Sequence, residues 1–514
     1  MATTDTLTSP EEATTPATGH APVRPLWRPI PGNRVVAWVA PLAVALFGLL
    51  LRLHRLHVPP KAAFDEVYYA CDAQMLLRYG YEHAHLKDNV CIVDQTVTET
   101  AGFVVHPPLG KWLIAIGQAI YGYSPNGGAR AAFGWRIAAC VFGALSILLL
   151  CRLGRRLFRS TLLGCFAGGL LALDGLHFVQ SRVAMLDIFL MFFVLAAAAC
   201  LAADRDWSRK RLSERLGTDQ SYPGPRLGVR PWRVAGGVML GCALGTKWSA
   251  IYYVVALAAI VFFWDYGARR AAGIPRPFRA AIWREWVPII LTLALVPVAV
   301  YVLTWTGWFV TDGGWRRTCG GQWNDGCGPV AGWLRYHKEI WDFHVNLESS
   351  HPYESKPWGW LLLARPVLYV YESEPKGFSQ AVLAIGTPAI WWGSVLALFG
   401  CFWGWLARRD WRPAFVLAAF AAGYVPWFWP ADRTEFFFYA LPALPFLCLA
   451  LAYCAGLALG RDGDSDTRRI VGTIGVGVYA LLVVVNFFYL YPVLAGVVVP
   501  YDEWHSRMWF SSWI

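Results

Sequence analysis

The stretch Val58-Pro-Pro-Lys-Ala-Ala-Phe-Asp65-Glu66-Val-Tyr-Tyr sets two adjacent carboxylates just after an apolar run and a double proline. Prolines end a helix and an acid is favoured where the next one starts, so Asp65 could be a helix cap. Against that, carboxylates among aromatic residues at a membrane surface are costly to desolvate, and residues held at such a cost often carry chemistry. Adjacent helical positions diverge by about 100°, so Asp65 and Glu66 should not share a proton as a dyad, and different roles are expected. Further on, His106-Pro-Pro-Leu-Gly-Lys111 fixes a short turn with His106 and Lys111 at its two ends. Arg136, Arg182 and Lys247 (in Gly245-Thr-Lys-Trp-Ser) also lie at the mouths of apolar segments, with Asp187 nearby in sequence to Arg182. Each alone could be a snorkelling or paired charge. Together, cations and carboxylates near one face suit an anionic lipid head group.

The elements that must position these residues are membrane helices. The chain has 514 residues, 56% of them hydrophobic and only 15% charged, and its mean hydropathy of +0.40 is too apolar for a soluble enzyme of this length. A spanning helix needs about 20 mainly apolar residues. Eleven segments qualify: 34–52, 132–153, 161–178, 183–203, 234–248, 249–265, 286–308, 384–406, 413–429, 436–459 and 470–494. The pair at 234–265 is short and joined by Lys247, so one broken helix is the alternative there. The expected class is an all-α polytopic membrane protein.

A net charge of +11 would suggest nucleic acid in a soluble protein. Here the cations gather in alternate connections, such as Arg152, Arg155, Arg156 and Arg159, or Arg205, Arg209, Lys210 and Arg211. That is the positive-inside pattern of a multi-pass protein, so no nucleic-acid partner is expected. Residues 1–33, rich in Thr, Pro and Ala, read as a disordered cytoplasmic tail. Residues 34–308 form a catalytic module that includes an outer loop at 53–131; 309–383 are a second outer loop; and 384–514 are a four-helix module whose end lies outside. Loops this long and aromatic are expected to work rather than merely connect. Pro107–Tyr121 should lie along the interface, and Trp333–Trp360 is a candidate lid or acceptor groove.

Eight cysteines fall in or beside apolar spans, whereas Cys71, Cys91, Cys319 and Cys327 fall in the outer loops, an even number on the oxidising side. Sequence proximity favours Cys71–Cys91 and Cys319–Cys327, although four cysteines allow three pairings. A zinc site from Cys71, His83, His85 and Cys91 is the weaker alternative, since its spacing matches no compact motif.

Asp65-Glu66 after the first span, HPPLGK at 106–111, SRVAMLD at 181–187, GTKWS at 245–249 and Ser350-His-Pro-Tyr-Glu-Ser-Lys-Pro-Trp-Gly-Trp360 resemble, in the same order, the motifs of the protein O-mannosyltransferase family. The likeness runs from about residue 35 to the end and is closest to the actinobacterial members, because only about 75 residues stand where eukaryotic relatives insert MIR domains. The resemblance implies a GT-C architecture, a polyprenyl-phosphate mannose donor, and Ser or Thr acceptors on exported polypeptides at the outer face of the plasma membrane. It implies Asp65 as catalytic base and Glu66 as its neighbour in acceptor positioning. Lys111, Arg136, Arg182 and Lys247 become candidates for the donor phosphate, and His106 and His351 for substrate positioning, while Asp187 would pair with a buried cation. Coupling to the protein-export translocon and contact with membrane lipids are implied as well.

The chemistry agrees with that implication. A Ser or Thr hydroxyl needs a carboxylate to take its proton, worth roughly 10²–10⁴-fold. Phosphate is already a good leaving group, so no general acid is required, and its charge suits Lys, Arg or a divalent cation. No cofactor beyond such an ion is called for. One base and several cations fit direct, inverting transfer, and no carboxylate offers itself for the opposite face of the sugar. The competing readings are a lipid-phosphate-sugar transferase of the same architecture acting on a lipid or glycan, and a secondary transporter. The latter lacks support, since the two halves show no repeat.

Overall fold

A computed structural model describes residues 26–83, 86, 87, 90, 91, 101–216, 221–318, 328–373, 375–429, 432–460 and 463–514. Among them, eight helices are long and apolar enough to cross a membrane. The first part runs α1 (Val36–Leu53), α2 (Glu66–Tyr79), α3 (Leu109–Tyr121), α4 (Ala129–Phe158), α5 (Thr161–Ala172), a short α6 (Gly175–Gln180) and α7 (Asp187–Leu216). Next come α8 (Pro231–Leu244), α9 (Ala250–Ala271), α10 (Pro277–Ile290) and α11 (Val296–Thr304), the last two joined through a π-helical turn at Leu291–Leu295. The short α12 (Thr306–Val310), α13 (Pro329–Val345) and α14 (Pro357–Trp360) precede α15 (Pro388–Arg408), α16 (Trp411–Tyr424), α17 (Leu444–Ala458), α18 (Asp466–Ala495) and α19 (Tyr501–Ser506). Of the eleven segments expected to span, 161–178, 234–248 and 413–429 hold no single α-helix of spanning length: the first is divided between α5 and α6, the second holds the shorter α8, and the third holds α16 followed by a 3-10 turn at Val425–Phe428.

The pair at 234–265 is two helices and not one broken one. Arg230, at the N-terminal end of α8, hydrogen-bonds Asp204 of α7 at 2.9 Å, Asp265 of α9 at 2.7 Å and Glu285 of α10 at 3.2 Å. Arg233 and Arg269 also reach Glu285, at 2.8 and 2.6 Å. Three guanidinium groups and three carboxylates, all buried, thus cross-link four helices at one end of the bundle. Lys247 lies at the other end, against Asp187 at the start of α7. The chain therefore leaves the arginine cluster along α8, turns at Lys247 and returns along α9. Each ion is expensive to bury alone, which makes the balanced set a clamp that fails if one member is removed.

The fold is predominantly helical, as expected, with two small additions: β1 (Leu86–Lys87) pairs with β2 (Val90–Cys91), and β3 (Val367–Glu372), β4 (Phe378–Ala384) and β5 (Val498–Pro500) form an antiparallel sheet. One expectation needs correction: residues 26–33 are not a loose tail. Leu26 packs on a cluster containing Leu212, Leu216 and Ile274, and Arg155 and Arg159 hold the carbonyls of Pro31, Arg28 and Pro29. Residues 1–25 lie outside the described residues.

The N-terminal segment touches the end of α4, whereas Gly496, just past α18, accepts from Arg55 beside the Asp65 loop at 3.1 Å. The two ends of the described chain thus meet opposite ends of the bundle. Cys71 and Cys91 form a disulfide with Cα atoms 5.7 Å apart, tying α2 to β2. That excludes the zinc alternative at these cysteines. Cys319, Cys327 and His85 lie outside the described residues.

Candidate active site

Between the end of α1 and α2 the chain forms a tight loop that presents Asp65. Phe64 adopts φ +53°, a region side chains rarely enter, and such strain persists only where packing enforces it. Here the Phe64 ring is stacked on Tyr369 at 4.8 Å and flanked edge-on by Phe436, Phe438 and His351 at 5.9–6.0 Å. Asp65 occupies the position before α2, yet its side chain makes no capping bond. The cap reading is therefore set aside. Its carboxylate accepts from Tyr69 Oη at 3.4 Å, its one side-chain hydrogen bond among the described residues. Burial pushes its pKa up to about 6, with Asp187 adding to the rise and Lys247 and Tyr69 opposing it.

Glu66 does something else. It is fully buried and accepts four N–H bonds: Ala63 N at 2.8 Å, Ala184 N at 2.7 Å, and Arg136 Nε and Nη2 at 2.8 and 2.7 Å. No lone pair remains to face an acceptor, so the expected acceptor-positioning role gives way to a scaffolding one. Arg136 spends its other N–H groups on the carbonyls of Leu56, Pro59 and Lys61 at 2.9–3.2 Å. Arg182 likewise holds the carbonyls of His54 and Arg55 at 2.5 and 2.9 Å. These carbonyls follow the last turn of α1, where intrahelical donors run out. Lys111 is buried against Glu82 at 2.5 Å and Asp72 at 3.7 Å. Three of the four expected phosphate cations are thus committed to the scaffold around Asp65.

The fourth, Lys247, borders a cavity of about 1100 Å³ together with His106, Asp187, Trp248, Tyr301, His337, His344, Trp427, Arg433 and Tyr439. Lys247 Nζ donates to Asp187 at 2.8 Å, which is the pairing of Asp187 with a buried cation. Ile251, Tyr252 and Val298 line one side and are roughly half exposed on the lipid-facing surfaces of α9 and α11, so the cavity is apolar toward the bilayer. Helix α13 contributes His337, Trp341, His344 and Val345 to the lining, and Tyr301 of α11 is hydrogen-bonded to His337 at 2.6 Å.

His106 is stacked on His344 at 5.4 Å and lies 6.2 Å, ring to ring, from Tyr69 beside Asp65. Burial, helped by Lys247 and neighbouring cations, holds His106 well below the ordinary histidine range and so neutral. His351 lies outside the cavity wall. It packs against Phe436 at 5.0 Å, and its Nδ1 accepts from Tyr353 N at 3.1 Å.

Arg433 was visible in the sequence only as a cation in a short connection. Its guanidinium sits over Trp427 and Tyr439 at 5.8 and 5.7 Å, and its buried Nη1 has no partner among the described residues. A cavity with a lysine at one place and an unspent arginine N–H at another is equipped for a phosphate. Among the described residues, no group of three or more His, Cys, Asp or Glu could hold a metal ion.

Comparison with known proteins agrees with this geometry. Residues 95–309 match the model of dolichyl-phosphate-mannose-protein mannosyltransferases, and residues 329–513 match the C-terminal four-transmembrane region of protein O-mannosyltransferases. The chain is 38% identical to a polyprenol-phosphate-mannose–protein mannosyltransferase of Mycobacterium tuberculosis, over 98% of this chain and 97% of that one. It is 37% identical to the protein of the same name from Corynebacterium glutamicum, over 80% and 82%. In fold it is similar to the Saccharomyces cerevisiae Pmt1–Pmt2 complex bound to the sugar donor, with a TM-score of 0.71, 15% identity, and 93% and 92% of the chains covered. ArnT from Cupriavidus metallidurans is more distant, with a TM-score of 0.51, 15% identity, and 90% and 77% covered.

Proposed function

The chain belongs to the protein O-mannosyltransferase family, and from that premise we propose that it transfers mannose from polyprenyl-phosphate mannose to Ser and Thr hydroxyls of exported polypeptides, with inversion at the sugar. The observation that carries the reading is the cavity itself. It joins a lipid-facing apolar side to Lys247 and Arg433, and Asp65 lies close enough for the Lys247 charge to lower its pKa.

In this reading the prenyl chain stays among Ile251, Tyr252 and Val298 while the phosphate meets Lys247 and Arg433. Asp65 is mostly ionised at neutral pH and accepts the hydroxyl proton. The hydroxyl oxygen bonds to the anomeric carbon from the face opposite the phosphate, the carbon–oxygen bond to the phosphate breaks, and its electron pair stays on the leaving phosphate. That charge develops between two fixed cations, an arrangement that needs no reorganisation at the moment of reaction. A divalent ion could assist but is not required by it. Tyr69 steadies the Asp65 carboxylate, and Glu66 with Arg136 holds the loop.

The site end of the bundle is assigned to the outer face of the plasma membrane. The support is that the arginine-rich connections, including Arg155, Arg159 and the Arg230 cluster, gather at the other end. The N-terminal segment is then cytoplasmic and the end of the described chain external, where acceptors would arrive unfolded from the export channel.

The test is direct. Purified protein given polyprenyl-phosphate mannose and a Thr/Pro-rich peptide should yield O-mannosylated peptide. Transfer to a lipid or glycan with none to peptide would overturn the proposal.

A further inference from the structure

Arg433 is held in its place by one residue of the second outer loop. His344, near the end of α13, has Nε2 3.0 Å from the carbonyl oxygen of Val105, the residue before His106. A carbonyl only accepts, so Nε2 carries the proton and Nδ1 is bare. Arg433 Nη2 stands 3.4 Å from that Nδ1, and Arg433 Nε donates to the His344 backbone oxygen at 3.2 Å. Nε and Nη2 are thereby spent on His344 while the buried Nη1 stays without a partner. Both residues line the cavity.

We propose that His344 is a positioning residue for the donor: its neutral ring aims the Arg433 guanidinium so that the free Nη1 meets the phosphate, and it does so only when α13 is seated on the His106 loop. The inference rests on the reading that Arg433 binds that phosphate. The charged and titratable groups facing His344 are Arg433, Lys247 and the stacked His106. Burial, with Arg433 and Lys247, pushes His344 down to about 4, against the opposing bond to Val105, so the ring stays an acceptor across the physiological range. A protonated ring would turn an N–H toward Arg433 and lose the contact. The second outer loop thus acts on the sugar donor, through a histidine that touches neither reacting atom.

Two conservative variants separate this role from simple packing. Asn at position 344 keeps an oxygen near the place of Nδ1, whereas Gln puts its amide near the place of Nε2 and leaves Arg433 without a side-chain acceptor. In detergent-purified full chain, with polyprenyl-phosphate mannose and a Thr-containing peptide, His344→Gln should raise the donor KM about tenfold, the scale of one hydrogen bond to a charged group. The peptide KM should stay within twofold, and His344→Asn should remain near wild type. Combined with Arg433→Ala, His344→Gln should add nothing, because its effect passes through the guanidinium. Equal losses for Asn and Gln, a rise in peptide KM as large as that for the donor, or multiplicative losses in the double variant would overturn the inference. If Arg433→Ala alone leaves the donor KM unchanged, the phosphate reading fails; if Arg433→Ala raises it and His344→Gln does not, only the role of His344 fails.

Discussion

Replacing Glu66 by Gln should unsettle the protein more than it alters the chemistry directly. Glu66 Oε1 accepts Arg136 Nε and Ala184 N, and Oε2 accepts Arg136 Nη2 and Ala63 N. An amide keeps the shape but turns one of those oxygens into a donor. Whichever way it sits, two bonds are lost, two N–H groups face an NH₂, and Arg136 keeps its charge with no buried anion. Breaking one partner of a buried, hydrogen-bonded ion pair costs about 3–5 kcal/mol. Natural stabilities are only about 5–15 kcal/mol, so the loss should appear as a fall on the order of 5 °C in the apparent Tm of the detergent-solubilised protein. Transfer should fall with it, because the Asp65 loop is tied through Ala63 and Arg136. Arg136→Lys should behave the same way, since an ammonium cannot fork across two carboxylate oxygens and also reach three carbonyls. A Glu66→Gln protein with unchanged Tm and no transfer would refute this reasoning and return Glu66 to the chemistry.

Other consequences follow from the same geometry. With Asp65 near 6, kcat/KM should be level above about pH 7 and fall about tenfold per unit below 6; Lys247→Met, which removes a charge that lowers this pKa, should move the acid limb to higher pH, and an unmoved limb would count against Asp65 as its source. Glu435 is buried, neither of its carboxylate oxygens has a hydrogen-bond partner among the described residues, and burial pushes it from 4.5 up to about 7 against Lys356 and Arg433. Its raised pKa means that stability is fullest below the unfolded value and is lost as pH climbs through 7, so Glu435→Gln should raise the apparent Tm at pH 8.5 but not at pH 4.5, with a gain of about 2–3 kcal/mol; an equal gap at both pH values would refute this. Lys111→Met should lower the Tm by removing the cation that pairs with buried Glu82 while the donor KM holds, and a raised donor KM at unchanged Tm would restore Lys111 to the phosphate.

Eight of the eleven expected spans were legible from apolar run length alone, because the bilayer admits so few other solutions. Asp65 and Lys247 were legible as costly charges beside apolar segments. What the sequence could not distinguish was a cation that binds a ligand from one that binds the protein. Arg136 and Arg182 look in sequence just like Arg433, and only the folded chain shows that the carbonyls after α1 consume the first two. The same limit explains part of the sheet: Phe378–Ala384 reads as the approach to an apolar span, and although one of its partner strands, Val367–Glu372, closely precedes it, the other, Val498–Pro500, lies more than a hundred residues further on. His344 stayed hidden for a related reason, since its partners come from the first outer loop and from the segment before α17.

The central claim, that Asp65 takes the acceptor proton while cations elsewhere hold the phosphate, is tested most directly by Asp65→Asn. At saturating polyprenyl-phosphate mannose, with Tm and donor binding at wild-type values, transfer to peptide should drop by roughly 10²–10⁴-fold. A folded Asp65→Asn protein that binds donor and still mannosylates peptide within tenfold of the wild-type rate would contradict the account.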